Sequence, residues 1–288
     1  MSLTRHHLTG LLLAAAVSLP AQADENLLGY TMGAETLPQG AAEAYLWLTD
    51  HRGKRQGHYE AQYVRLEYEY GLTDTLSGSV YLNGYRHDYS GNPVPGQIDG
   101  ELKQARWSGA SAEVKKMLAS PYKAGLGVAL YGEVTYDSID SVTGEKVDAW
   151  ELEGKLIFQK PFLDDQLQWV TNLELEAETN RARAGGEREN AIAPRLRTGV
   201  SYRFAPNWFV GFEGWADVEY RKTPGGPWGR DHWDMFAGPS LHYGAKQWWA
   251  TLTYVRQLAG SDEQDMHTGL HLADHEKQEI RLKLGYNF

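Results

Sequence analysis

From Ala42 onward the chain alternates apolar and polar residues one for one, segment after segment. In LQWVTNLELEAE, Leu167 to Glu178, one set of alternate positions is Leu167, Trp169, Thr171, Leu173, Leu175 and Ala177. The other set is Gln168, Val170, Asn172, Glu174, Glu176 and Glu178. Successive side chains of a strand point to opposite faces, so period two predicts strands that are greasy on one face and charged on the other. The pattern recurs at Ala44 to Leu48, Val64 to Tyr70, Leu76 to Leu82, Leu126 to Val134, Trp150 to Phe158, Leu196 to Phe204, Trp208 to Tyr220 and Ile280 to Phe288. Less regular strands are expected over Trp107 to Leu118, Trp233 to Tyr243 and Trp248 to Leu258. The total is about twelve strands, most of them longer than the globular norm of about five or six residues.

The connections alternate between long and short. DHRGKRQGHYE, GYRHDYSGNPVPGQIDGELKQ, DSIDSVTGEK, NRARAGGEREN, RKTPGGPWGRD and AGSDEQDMHTGLHLADHEK are long, whereas GLTDT, SPYK, KPFLDD, APN and GAKQ are short. Sorting of this kind is the mark of an outer-membrane barrel. The expected fold is therefore all-β: an up-and-down antiparallel transmembrane β-barrel with both chain ends on the short-turn side. Its apolar face meets lipid and its charged face lines a lumen. The inverse would place the charged residues against acyl chains, at about 2–4 kcal/mol for each base at the midplane, beyond any stability margin of about 5–15 kcal/mol. Closure also pairs every backbone group in a medium without water. Two stretches fit poorly. Lys116 shares the apolar face of Val114 and Leu118, and reads as a residue near a strand end that snorkels or follows a bulge. QWWATLTYVRQL is amphipathic in either phase, and Trp248, Ala250, Leu252 and Tyr254 are assigned outward.

The first residues sharpen the destination. MSLTRHHLTGLLLAAAVSLPAQA carries Arg5, an apolar run and Ala21-Gln22-Ala23, the layout of a cleaved secretory signal peptide over residues 1–23. The mature chain is expected to start near Asp24 without a lipid-bearing Cys, and the 288 residues contain no Cys to form a disulfide framework. Residues 24–40 form a periplasmic segment long enough to enter the lumen as a plug, and residues 41–288 form the barrel. The 10 Trp and 17 Tyr suit both strands and membrane interfaces. A net charge of −10 without a basic groove argues against nucleic acid as a partner.

The chain ends in EIRLKLGYNF, with Leu284, Tyr286 and Phe288 at alternate positions. This resembles the C-terminal signal recognised by the barrel-assembly machinery, which is thereby implied as a partner during insertion. LGYTMGAETLPQGAAEAYLWLT and YVRLEYEYGLTDTLSGSVYLNG resemble a functionally uncharacterised family of porin-like Gram-negative outer-membrane barrels of about twelve strands. The resemblance implies location and fold, and no chemistry.

The phase of each strand nominates the lumen lining: Arg65, Glu67, Glu69, Glu133, Glu151, Glu153, Glu174, Glu176, Glu178, Arg195, Arg197, Arg203, Glu213, Asp217, Glu219, Arg281 and Lys283. Glu176 is expected opposite Arg195 and Glu174 opposite Arg197, where each cross-strand pair would contribute about 0.2–1 kcal/mol. Such a wall either rigidifies a narrow barrel or sets a transverse field that passes small hydrophilic or charged solutes. The expectation is a passive narrow pore. The alternative is a non-conducting barrel whose outer loops bind lipopolysaccharide, a metal or a protein partner. No catalysis and no cofactor are expected: a His-x-Ser-Asn-Gly segment of the outer-membrane phospholipase type is absent, and Asp265-Met266-His267 matches an omptin pair in spelling alone. His267, His271 and His275 recur every four residues and are the candidate ligands should the last loop hold a metal, although Gly269 opposes the helix that would stack them. His51, His58, His87 and His232 fall in loops on the same side. Arg52, Lys54, Arg55, Arg181, Arg183, Arg221 and Lys222 are expected to meet lipopolysaccharide phosphates of the outer leaflet.

Overall fold

The computed structural model describes residues 26–94, 100–222, 225–262 and 269–288. The expected signal peptide, together with Asp265 and His267, lies outside the described residues. Twelve strands follow in chain order: β1 (Ala42–Arg52), β2 (His58–Thr73), β3 (Leu76–Ser90), β4 (Glu101–Ala119), β5 (Gly127–Ile139), β6 (Lys146–Phe162), β7 (Leu167–Asn180), β8 (Glu189–Ala205), β9 (Trp208–Lys222), β10 (Trp228–Gly244), β11 (Trp248–Asp262) and β12 (Gln278–Asn287). Every strand pairs antiparallel with its chain neighbours, and β1 pairs with β12, so the sheet closes into a barrel. A single helical turn, α1 (Pro121–Ala124), sits in the β4–β5 turn.

Alternation holds around the wall. Leu66, Leu82, Val114, Leu130, Leu152, Leu173, Leu196, Phe212, Leu241 and Leu252 are exposed and face outward. Outward aromatics mark both rims: Tyr70, Phe162, Phe204, Trp208 and Trp248 toward the short turns, and Trp107, Trp150, Tyr220 and Trp228 toward the long loops. That is the girdle expected where amphipathic rings meet the two headgroup layers. β11 takes the assigned phase, with Trp248, Leu252 and Tyr254 exposed and Trp249, Thr251 and Thr253 buried. Lys116 does stay outward, and its Nζ reaches back to Thr75 Oγ1 in the adjacent turn at 2.7 Å.

Several strands run past their expected limits. β4 begins at Glu101 rather than Trp107 and β10 at Trp228 rather than Trp233. These polar extensions continue the hydrogen-bonded ladder above the apolar band, where water replaces lipid and hydrophobic alternation stops reporting on the fold.

The interior is polar and packed. Among the described residues its buried apolar side chains gather into three small clusters, with others such as Leu28, Val170 and Trp249 between them: Tyr30, Trp215, Phe236 and Val255; Ala34, Ala129, Tyr131 and Ile157; and Tyr59, Ala61, Tyr89 and Val94. Two of the three include a residue from the segment that precedes β1.

Candidate functional site

Residues 26–39 cross the lumen at the short-turn end. The anchor is Glu213 on β9, almost completely buried, whose carboxylate accepts from the backbone N–H of Gly29 at 2.7 Å, Tyr30 at 2.9 Å and Thr31 at 2.8 Å. Thr31 Oγ1 adds a fourth bond at 3.0 Å. Leu28 seats against Gly199 and Gly211, where an added Cβ would lie 2.6 and 2.7 Å from its methyl groups. The phenol of Tyr30 donates to Glu279 at 2.8 Å, and its ring lies 4.6 Å from that of Trp215 with the Arg281 guanidinium 3.7 Å above it. The chain then passes Asn172, which accepts from Met32 N and donates to Met32 O, both at 2.8 Å, and Gln159, which accepts from Ala34 N at 2.8 Å. It leaves over the β2–β3 turn, where Gln39 N donates to Asp74 at 3.1 Å.

Two inward-folded loops narrow the opposite end. Residues 140–145 are held by His87, Tyr59 and Tyr89, which bond the carbonyls of Ser141, Val142 and Thr143 at 2.8–2.9 Å. The loop before β12 is held by Lys54, whose buried Nζ donates to Ala273 O at 3.1 Å and His275 O at 2.9 Å and pairs with Glu276 at 3.2 Å. Between the loops opens a cavity of about 800 Å³ floored by Tyr30, Trp215, Arg197 and Arg281. Ten carboxylates and four arginines line it among the described residues, so its field favours cations.

All the nominated lining residues sit on the inward face. Glu67, Glu69, Glu133, Glu174, Glu213, Asp217 and Lys283 are buried, and Arg65, Glu151, Glu153, Glu176, Glu178, Arg195, Arg197, Arg203, Glu219 and Arg281 are half-buried. Their register differs from expectation. Glu174 stands opposite Arg195, Asn172 opposite Arg197, and Glu176 opposite Ala193. The ion pairs form all the same, along diagonals: Arg197 Nε to Glu174 at 2.9 Å and Arg195 to Glu176 at 3.4 Å, with Asp217 of β9 reached at 3.7 Å. A shift of two residues preserves every face and changes every partner.

The registers of β4 to β7 build a further arrangement. Glu113, Glu133, Glu153 and Glu176 stand opposite one another on β4, β5, β6 and β7, and Glu151 faces Glu178. Like charges directly opposite destabilise a sheet. Arg65 contacts Glu133, Lys155 lies 3.0 Å from Glu153, and Tyr81 donates to Glu113. Glu113 and Lys115 were missed because Lys116 obscured the phase of β4, although Ser111, Glu113 and Lys115 share one parity.

Two of the bases expected to reach lipopolysaccharide are committed elsewhere. Lys54 is buried beneath the last loop, and Arg221 turns inward to Glu219 at 2.8 Å, Asp231 at 3.6 Å and Asp274 at 3.7 Å. The described part of the last loop, residues 269–277, folds inward rather than standing in solvent. His271 is buried with its ring stacked 4.1 Å from that of His232 on β10, and His275 Nε2 lies 3.0 Å from Asp234. Burial pulls the His275 imidazolium down, yet the Asp234 carboxylate overrides it and holds the pKa at about 10. Burial likewise works against ionised Asp274, but its hydrogen bond with His271 and the nearby Arg221 keep it below the usual carboxylate range. Glu276 is depressed too, because Lys54 and His51 outweigh its burial.

C-terminal residues Leu284, Tyr286 and Phe288 close the barrel beside β1, with Phe288 ringed by Tyr286 at 5.4 Å and Tyr68 at 6.5 Å.

Solved structures similar to this one are outer-membrane barrels. The COG4313 outer membrane channel from Pseudomonas putida F1 aligns with a TM-score of 0.62 at 14% identity, covering 88% of this chain and 98% of that one. The KdgM porin, solved with disordered oligogalacturonate, gives 0.44 at 11% identity over 86% and 99% of the two chains. LpxR from Salmonella typhimurium gives 0.47 at 9% identity over 85% and 100%. At such identities the likeness shows the fold alone. No curated protein matches the sequence. A family profile, however, matches residues 20–288, nearly the whole chain. This outer-membrane barrel therefore belongs to DUF6662, a family of unknown function.

Proposed function

We propose that this barrel is a passive, narrow pore that prefers small hydrophilic cations, with the segment 26–39 as its constriction. The observation that carries the reading is the outer cavity of about 800 Å³, rich in carboxylates and ending on that segment. A carboxylate-lined vestibule with low-dielectric walls concentrates cations at its mouth. Below it the opposed carboxylates of β4–β7 are met by Arg65, Lys155 and Arg195, so the unbalanced negative charge lies mainly in the outer cavity. The reading contains no catalytic step and no cofactor. Lipid and lipopolysaccharide surround the barrel, and the assembly machinery meets its C-terminal strand during insertion.

Planar-bilayer recording of the refolded chain tests this. The expected record has small steps with cation preference, shifted toward anions when Glu176 and Glu178 become Gln. Deleting residues 26–36 should enlarge the steps. Silence at every voltage from both the full chain and the deletion would remove the pore. That result would favour the second reading, a non-conducting barrel that presents its outer cavity to a ligand. The dense hydrogen bonding of residues 29–34 to β6, β7 and β9 is what speaks for it.

A further inference from the structure

We infer that His232, His271 and His275 form a binding site for a divalent transition-metal ion of the Zn²⁺ type, which ties the last loop to β10 at the cavity rim. Each imidazole can offer a ring nitrogen, His275 only by giving up the proton that its pairing with Asp234 favours, and the three lie within 4.8 Å of one another. The rings of His232 and His271 are parallel, 9° apart, and the ring of His275 stands across both at 69° and 66°. Two of the three, His232 and His271, are buried to 1% exposure, and the loop positions that carry His271 and His275 face the strand that carries His232. Metal-ligating histidines commonly give their second nitrogen to a carboxylate. Here His232 Nδ1 lies 3.1 Å from Asp231 and 3.9 Å from Asp274, and His275 Nε2 lies 3.0 Å from Asp234. The remaining His232 nitrogen, Nε2, is buried without a hydrogen-bond partner among the described residues.

Imidazole selects Zn²⁺, Cu²⁺ or Ni²⁺ over Ca²⁺ and Mg²⁺, which demand oxygen ligands. Zinc–nitrogen bonds of about 2.0–2.1 Å place tetrahedral ligand atoms about 3.3 Å apart, so side-chain rotation must draw this cluster inward. Asp274 lies beside the cluster, 3.6 Å from His271 Nε2 and 3.9 Å from His232 Nδ1, and the fourth position is left to water. Arg221, 3.7 Å from that carboxylate, weakens the site without blocking the rings. In the alternative the cluster is only a clamp, its histidines hydrogen-bonded to the aspartates with no ion between them.

The experiment is titration of ZnCl₂ into refolded, chelator-stripped full chain in detergent, followed by calorimetry. It does not depend on conduction. One Zn²⁺ per chain is expected, with affinity reduced at least tenfold in His232→Ala and in His271→Ala and retained in His51→Ala, whose ring belongs to a neighbouring cluster with Glu276 and Glu279. Far-UV circular dichroism checks that each variant remains a barrel. Co²⁺ bound to the unaltered chain should give the intense visible bands of low-symmetry nitrogen ligation, and that spectrum decides the matter should a variant fail to fold. Absence of stoichiometric Zn²⁺ binding, or binding unchanged in both His232→Ala and His271→Ala, would overturn the site and leave the clamp. A cobalt spectrum like that of the aquo ion would do the same.

Discussion

Glu213→Ala isolates the contact on which the constriction depends. The native carboxylate is 1% exposed and accepts three consecutive backbone N–H groups and two threonine hydroxyls, those of Thr31 at 3.0 Å and Thr253 at 3.2 Å. Truncation leaves the amides of Gly29, Tyr30 and Thr31 facing an emptied pocket. Hydrogen bonds to a charged group are worth about 1.5–3 kcal/mol each, and a buried donor left unmade costs about 1–3 kcal/mol. Water entering the vacated space recovers part of that, so the docking of the segment should weaken by on the order of 3 kcal/mol rather than the full sum. Bonds of Met32, Ala34 and Tyr30 to Asn172, Gln159 and Glu279 remain, so the segment stays docked most of the time but opens more often. At about 1.4 kcal/mol per decade, exchange of amides 29–31 with deuterium should accelerate by about two orders of magnitude. Peptide-resolved hydrogen exchange in detergent reads this directly, with the strand amides of β9 and β11 as internal control. Unchanged exchange at residues 29–31 would refute the anchoring role. Acceleration spread evenly over the strands would show instead that Glu213 stabilises the barrel as a whole.

The outward face makes a depth-dependent prediction. Leu173→Arg, near the middle of β7, should cost about 2–4 kcal/mol in vesicle-based urea unfolding, while Leu167→Arg at the strand end costs about 1 kcal/mol or less; equal costs would contradict the placement of the apolar band. Deleting Phe288, 77% exposed, should slow assembly into proteoliposomes that contain the assembly machinery while leaving the unfolding free energy of the finished barrel nearly unchanged. Assembly at the native rate would remove the C-terminal signal from the account.

Much of this molecule is legible in its sequence. Period two assigned Glu174, Glu176, Arg195 and Arg197 to the same side of the wall, and the alternation of long and short connections separated the two ends. Strand limits were less legible, because Glu101 to Arg106 carry no lipid face to advertise them. The Glu113–Glu133–Glu153–Glu176 alignment was invisible, since it depends on the pairing of four strands at once. His232 was read as one rim histidine among several. Nothing local places it on His271, which is 39 residues away in sequence and brought back by the return of β11. Lys54 looks like a surface base for the same reason: its partner Glu276 arrives with a loop from the far end of the chain, as does Asp274, one of the carboxylates around Arg221.

Alternation along the chain settles the facing of most strand residues, β4 and β11 being the ambiguous cases, because the pleat is a local property and lipid tolerates only one of its two faces. Register, the path of residues 26–39 across the lumen and the gathering of three histidines were decided by tertiary structure alone. A strand slipped by two residues keeps all its faces and loses all its partners, and only closure of β1 on β12, together with the turns between, selects one such slip from the rest.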